Sequence, residues 1–185
     1  FTCIPPSEPA TEAKVPEDSD MRGMWGPRPL ATVERANAQL DNLVSLLESR
    51  GVRVDRPEPI QWNQAVNTPD FTTGSMFGCM PPRDVLLTVG KEILSAPMSF
   101  RCRYWEFLSY HTLMQRYFDE DPEFRWEQAP RPRLSDDSYQ AGYFDEITIE
   151  DRLKRTAALD FVTTEYEPLF DAADILRIGK DLFCQ

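Results

Sequence analysis

Residues 173 to 184 read ADILRIGKDLFC, and residues 84 to 95 read DVLLTVGKEILS. Each is a pair of short apolar runs around a Gly-Lys step, the pattern of a tight β-hairpin whose turn exploits the backbone freedom of glycine. With the steps at 90-91 and 179-180 superimposed, Leu86-Leu87-Thr88-Val89 matches Ile175-Leu176-Arg177-Ile178, and Glu92-Ile93-Leu94 matches Asp181-Leu182-Phe183. Acids stand just ahead of the first strand in both copies. This self-similarity predicts an α/β chain in which a module of strands and a helix is repeated around an axis.

Outward from the hairpins, Val33, Ala36, Leu40, Leu43, Val44 and Leu47 share one helical stripe between about Thr32 and Arg50, and Gly51 supplies a stop. Val52 and Val54 alternate with charge before Pro57, which predicts a short strand leading into a loop. A second helix is expected after Pro97, with Phe100, Tyr104, Phe107, Leu108, His111, Met114 and Phe118 on a broad apolar face. Prolines favour loops between 119 and 160, with a short helix across IEDRLKRTAAL (149–159). Residues 1 to 29 hold six prolines without an apolar period, which predicts a loop-rich or poorly ordered arm ahead of a single domain over 30–185. Both ends read as cut.

Thirty-one acids against twenty Lys and Arg give a formal charge of −11, a field that repels phosphate backbones and anionic lipid. Nucleic acid and membrane are therefore not expected partners, whereas a small cation is. The apolar runs are too short for a membrane span or a secretory signal, which makes a cytoplasmic location the expectation, an organelle not being excluded. Cys3, Cys79, Cys102 and Cys184 lack the paired spacing of zinc or redox motifs, and no cluster of His and acids has metal-ligand spacing.

A guanidinium offers a flat fork of N–H donors, so a site for it needs carboxylates set side by side. Asp84 and Asp171 stand at or just before the matching strands, where their side chains can enter a central pocket. The alternative for each is a structural one, capping a turn or pairing with a neighbour such as Arg83. Asp174 is expected to stabilise the turn into its strand. Glu165 and Glu167 are expected on the solvent side of an extended segment. His111 is read as a packed structural residue on the predicted helix. Cys102 lies nine residues earlier on that helix, about 13 Å along its axis, too far to pair with it. All four cysteines are read as structural.

The strings VRVDRPEPIQW, TPDF, PPRDVLLTVGKEILSAPMSFRCRYWE, APRPRLSDDSY and FVTTEYEPLFDAADILRIGKDLF, in this order from about residue 30 onward, resemble the glycine and inosamine-phosphate amidinotransferase family. That resemblance implies a partial pentein fold, a β/α-propeller built of ββαβ modules, and transfer of the amidino group of L-arginine to an acceptor amine through a covalent amidino-cysteine. It implies that Asp84, in PRD, binds the guanidinium and that Asp171, in FDAAD, works with a catalytic histidine. The family's histidine and nucleophilic cysteine occur beyond Gln185, so the expectation is that these residues alone do not turn over. No metal or organic cofactor is implied, and a homodimer is compatible with the resemblance. Two other readings are an arginine-hydrolysing pentein of the deiminase type and a non-catalytic binding pentein.

Overall fold

The computed structural model describes residues 30–62, 64–79, 81–143 and 148–184; the N-terminal arm expected over 1–29 lies outside them. Helix α1 (Leu30–Glu48) carries the predicted stripe. Among the described residues nothing fully covers it, and Leu43 and Leu46 stay exposed. Its end explains why no strand forms at Val52 and Val54. Gly51 adopts φ 77, and Val52 donates its amide to the Leu47 carbonyl at 3.1 Å, a Schellman-type closure. That donor is spent on the helix, and the chain continues as loop.

A two-residue pair, β1 (Val66–Asn67) and β2 (Thr72–Thr73), precedes a four-residue helix α2 (Pro82–Val85). The predicted first hairpin follows as β3 (Leu86–Val89) and β4 (Glu92–Ser95). Its antiparallel register pairs Leu86 with Ser95 and Val89 with Glu92. Gly90 takes φ 62 at the first turn position, as a type II′ connection requires.

The single helix expected after Pro97 is a correction. The chain makes two 3-10 turns, Arg101–Arg103 and Glu106–Tyr110, before the regular helix α3 (His111–Glu120). Trp105 sits between the turns at φ −105 and ψ 9, outside helical geometry. The aromatic residues serve different neighbours instead of one stripe. Tyr104 meets Phe71 edge-on at 5.5 Å, and the Arg131 guanidinium lies over both Tyr104 and Phe107. Tertiary packing has overridden the helical period.

After α3, β5 (Arg125–Gln128) lies parallel to β4, pairing Ile93 with Trp126. The sequence did not mark this strand, because Trp126 is its only large apolar residue. Strand order β3-β4-β5 with α3 as the crossover is one β-β-α-β unit. Helix α4 (Ile149–Ala157) forms where expected, opened by a capping box in which Thr148 and Asp151 bond each other's amides. The second hairpin, β6 (Ile175–Ile178) and β7 (Asp181–Cys184), repeats the register of the first, with Ile175 opposite Cys184 and Gly179 at φ 62. Arg177 Nη1 donates to the Thr88 carbonyl at 3.1 Å, linking the two copies. The sheets of the described residues are separate and do not close into a ring.

The core gathers Val85, Ala96, Met98, Tyr110, Met114 and Ala172 beneath the first hairpin. Complete burial of side chains such as Val85 and Met114 contributes about 1.5–3 kcal/mol each. Val85 and Ala172 directly follow Asp84 and Asp171. Each candidate aspartate is thus one residue from an anchor in the common core.

Candidate functional site

Asp84 belongs to α2, where its amide bonds the Pro81 carbonyl at 3.1 Å. Asp171 stands at the N-terminal boundary of a 3-10 turn, Ala172–Asp174, that leads into β6. This turn packs against α2, and so the two aspartates, far apart in sequence, arrive at one place. They are not matching positions of the repeat. Asp84 lies two residues before its strand and Asp171 four residues before its own, so the likeness of the hairpins alone does not pair them.

Both converge on Arg103. Its Nη1 donates to Asp171 Oδ2 at 2.9 Å and its Nη2 to Asp84 Oδ2 at 3.1 Å. The same guanidinium grips Glu106, Nε to Oε1 at 3.0 Å and Nη2 to Oε2 at 2.8 Å. Glu106 is fully buried, whereas the side chains of Asp84 and Asp171 remain 25% and 18% exposed. Three carboxylates around one guanidinium leave the cluster net negative. A second cation approaching from the exposed side is attracted.

Burial pushes the Asp171 carboxyl up; Arg103 and the Ser99 amide, 3.3 Å from Oδ1, pull against it. Met98 holds φ 63 with its amide on the Phe170 carbonyl, which turns the chain so that the Ser99 amide faces Asp171. Burial also drives Glu106 up, to about 7, against the pull of Arg103. Arg103 itself is raised: burial lowers it, and its carboxylate partners outweigh burial.

Asp174 has the structural role expected of it, accepting the Asp171 amide at 3.0 Å. Glu165 is exposed, as expected. Glu167 is a correction. Its carboxylate accepts the amides of Arg133 (2.7 Å) and Leu134 (2.9 Å) and the hydroxyl of Ser138 (2.6 Å), clamping the loop that follows β5. Burial works to raise it, yet these donors carry it below its ordinary range. Three donors far away in sequence are invisible to local alternation.

His111 is also corrected. It opens α3 on the exposed side, with its ring edge-on to Trp126 at 5.2 Å. Cys102 lies in the first 3-10 turn and not on His111's helix, so the axial distance between them no longer applies. Burial pushes the Cys79 thiol up, the opposite of what a nucleophile needs. Cys79 and Cys184 are free thiols, and Cys3 lies outside the described residues. No group of three His, Cys, Asp or Glu is placed to hold a metal ion among the described residues. No described helix is long and apolar enough to cross a membrane.

Sequence reading missed Arg103. The signal it offers, an arginine and a glutamate three residues apart in RCRYWE, is common on any helix surface, and nothing local aims it at Asp84 or Asp171.

No protein-family model matches the chain. The chain is 43% identical over 157 residues to the glycine amidinotransferase, mitochondrial, of Danio rerio, covering 85% of this chain and 36% of that protein. It is 38% identical over 186 residues to the L-arginine:L-lysine amidinotransferase of Pseudomonas savastanoi pv. phaseolicola, covering 99% of this chain and 49% of that one. Among solved structures, SxtG, an amidinotransferase from Microseira wollei in the saxitoxin biosynthetic pathway, superposes with a TM-score of 0.77 at 34% identity, covering 99% of this chain and 48% of that one. The inosamine-phosphate amidinotransferase StrB1 from Streptomyces griseus gives 0.74 at 34% identity, covering 98% and 48%. The chain spans less than half the length of these relatives.

Proposed function

We propose, since this chain belongs to the amidinotransferase family, that it supplies the guanidinium-holding part of an enzyme that moves the amidino group of L-arginine to an acceptor amine. The observation that carries this reading is the convergence of Asp84 and Asp171 on one guanidinium. Asp84 binds the guanidinium of arginine through its part-exposed carboxylate. Asp171 orients a histidine and stabilises its protonated form.

In this reading the thiol and the histidine come from residues outside these 185, as the family resemblance implies. The thiolate adds to the guanidinium carbon, the bond from that carbon to the δ-nitrogen of ornithine breaks, and the histidine delivers the proton to the departing amine. The amidino-cysteine is then attacked by the acceptor amine, which gives up a proton and releases the thiolate. These 185 residues alone form no intermediate. The β-β-α-β unit and the second hairpin are read as modules of a pentein propeller, supported by their shared register and turn angles. Location is read as cytoplasmic. The Danio relative is named mitochondrial, and fractionation of cells separates that alternative. A homodimer is part of the same reading and is tested by the mass of the complete protein in solution.

The deciding experiment incubates the complete protein with arginine labelled at the guanidino carbon, with and without glycine or lysine. Amine-dependent ornithine release and a labelled guanidino product are expected. Citrulline formed without an amine replaces transfer with hydrolysis, and arginine left intact makes the protein a binding pentein.

A further inference from the structure

Arg103 is too well held to be a stand-in for substrate. It shares its donors among three carboxylates, and one of these, Glu106, has no solvent to turn to if the guanidinium leaves. Moving Arg103 aside would strand a buried carboxylate, so it stays in place while substrate binds. It takes Oδ2 of both aspartates. Oδ1 of Asp171 is already engaged by the Ser99 amide, whereas no hydrogen bond from the described residues reaches Oδ1 of Asp84, which leaves it for an incoming fork of N–H donors. We propose that Arg103 is a positioning residue for amidino transfer, a bridge that fixes Asp84 and Asp171 at one mutual orientation while arginine binds.

This inference rests on the function proposed above. The guanidinium suits the role because its planar fork reaches the two aspartates from separate nitrogens, a geometry that an ammonium cannot copy. Charge contributes independently. Among the described residues, the groups facing Asp171 are Arg103 and Glu106 from the 3-10 turns, Asp84 from α2, and Asp174 and the Ser99 amide nearby, so Arg103 is the cation among them. Without it, mutual repulsion of the carboxylates favours a protonated Asp171, which cannot stabilise a histidinium.

The test measures ornithine release by the complete protein against pH, for wild type, R103K and R103Q, with kcat and KM for arginine taken separately and the melting temperature recorded. R103Q is expected to move the acid limb of kcat/KM up by about one pH unit or more and to raise KM for arginine. R103K is expected to restore the acid limb, because charge returns, but not KM, because the fork does not. A merely structural role lowers the amount of folded enzyme without moving the pH profile. If R103Q does not fold, the R103Q/E106Q double variant, in which the buried carboxylate is neutralised, is read in the same way. Unchanged acid limb and KM in a folded variant overturn the bridge alone; a wild type that releases no ornithine overturns the proposed function and this inference with it.

Discussion

Arg177 donates to the carbonyl of Thr88 at 3.1 Å, and these residues occupy matching positions of the two hairpins. One copy of the motif is therefore tied to the other through its own counterpart. The turn bearing Asp171, just ahead of the second hairpin, itself packs on α2 and β3.

The two turn glycines set a cost that can be measured. A Cβ added at Gly90 or Gly179 meets nothing within 4 Å, so only the φ of 62 opposes substitution. G90A and G179A are each expected to lower stability by about 1–2 kcal/mol. Asparagine, which tolerates this conformation, costs less. Denaturant midpoints order the variants, and alanine variants as stable as wild type would remove the turn assignment.

The aspartates are expected to be essential for transfer. In the complete protein D84N and D171N each reduce kcat/KM for arginine by about a hundred- to ten-thousand-fold, with the D84N loss weighted toward KM and the D171N loss toward kcat. Circular dichroism checks that both still fold. Near-normal turnover in either variant takes that residue out of the mechanism.

Cys79 should be dispensable. Its thiol is pushed up by burial, and its neighbours Ser109 and Trp62 only partly offset that. C79S is expected to retain ornithine release close to wild type, and iodoacetamide at neutral pH is expected to label Cys79 slowly. A dead C79S with an intact fold would reopen the question of the nucleophile.

Stability should fall as pH rises past the usual glutamate range. Glu106 moves from 4.5 to about 7 in the fold, so between these values the folded protein holds a proton that the unfolded chain has released, and each step up in pH favours unfolding. Asp171 is raised too and acts in the same direction. Asp55, Asp70 and Glu167 are lowered and act oppositely, their contribution being lost as pH falls through the acid range. Melting temperature is thus expected to drop between pH 5 and 8, by on the order of a few degrees, and E106Q to flatten that drop. An equally steep decline in E106Q would assign it to other groups.

The Glu167 clamp makes a separate prediction. E167A strands the amide of buried Leu134 and the hydroxyl of buried Ser138 and is expected to cost about 1–3 kcal/mol, whereas E167Q, keeping one acceptor, costs less. Leu134 is fully buried at φ 52, so release of the clamp should also speed proteolysis of the loop at 130–138. Urea denaturation and timed digestion measure the two effects.

Features that depend on neighbours along the chain were legible in the order of residues. That order located the hairpins around Gly90 and Gly179, the closure of α1 at Gly51, a short helix within 149–159, and Asp84 and Asp171 as candidates, because turn angles, helix stops and alternation are set within a few residues. What Asp84 and Asp171 touch depends instead on packing between distant segments. Arg103 bridges them, β5 finds β4 through backbone pairing with little apolar signal, the stretch from Arg101 to Tyr110 breaks into 3-10 turns, and Glu167 reaches back to Leu134. Each of these joins groups far apart in sequence, and the free energy of ion pairing and packing that selects them exists only once the core around Val85 and Ala172 has formed.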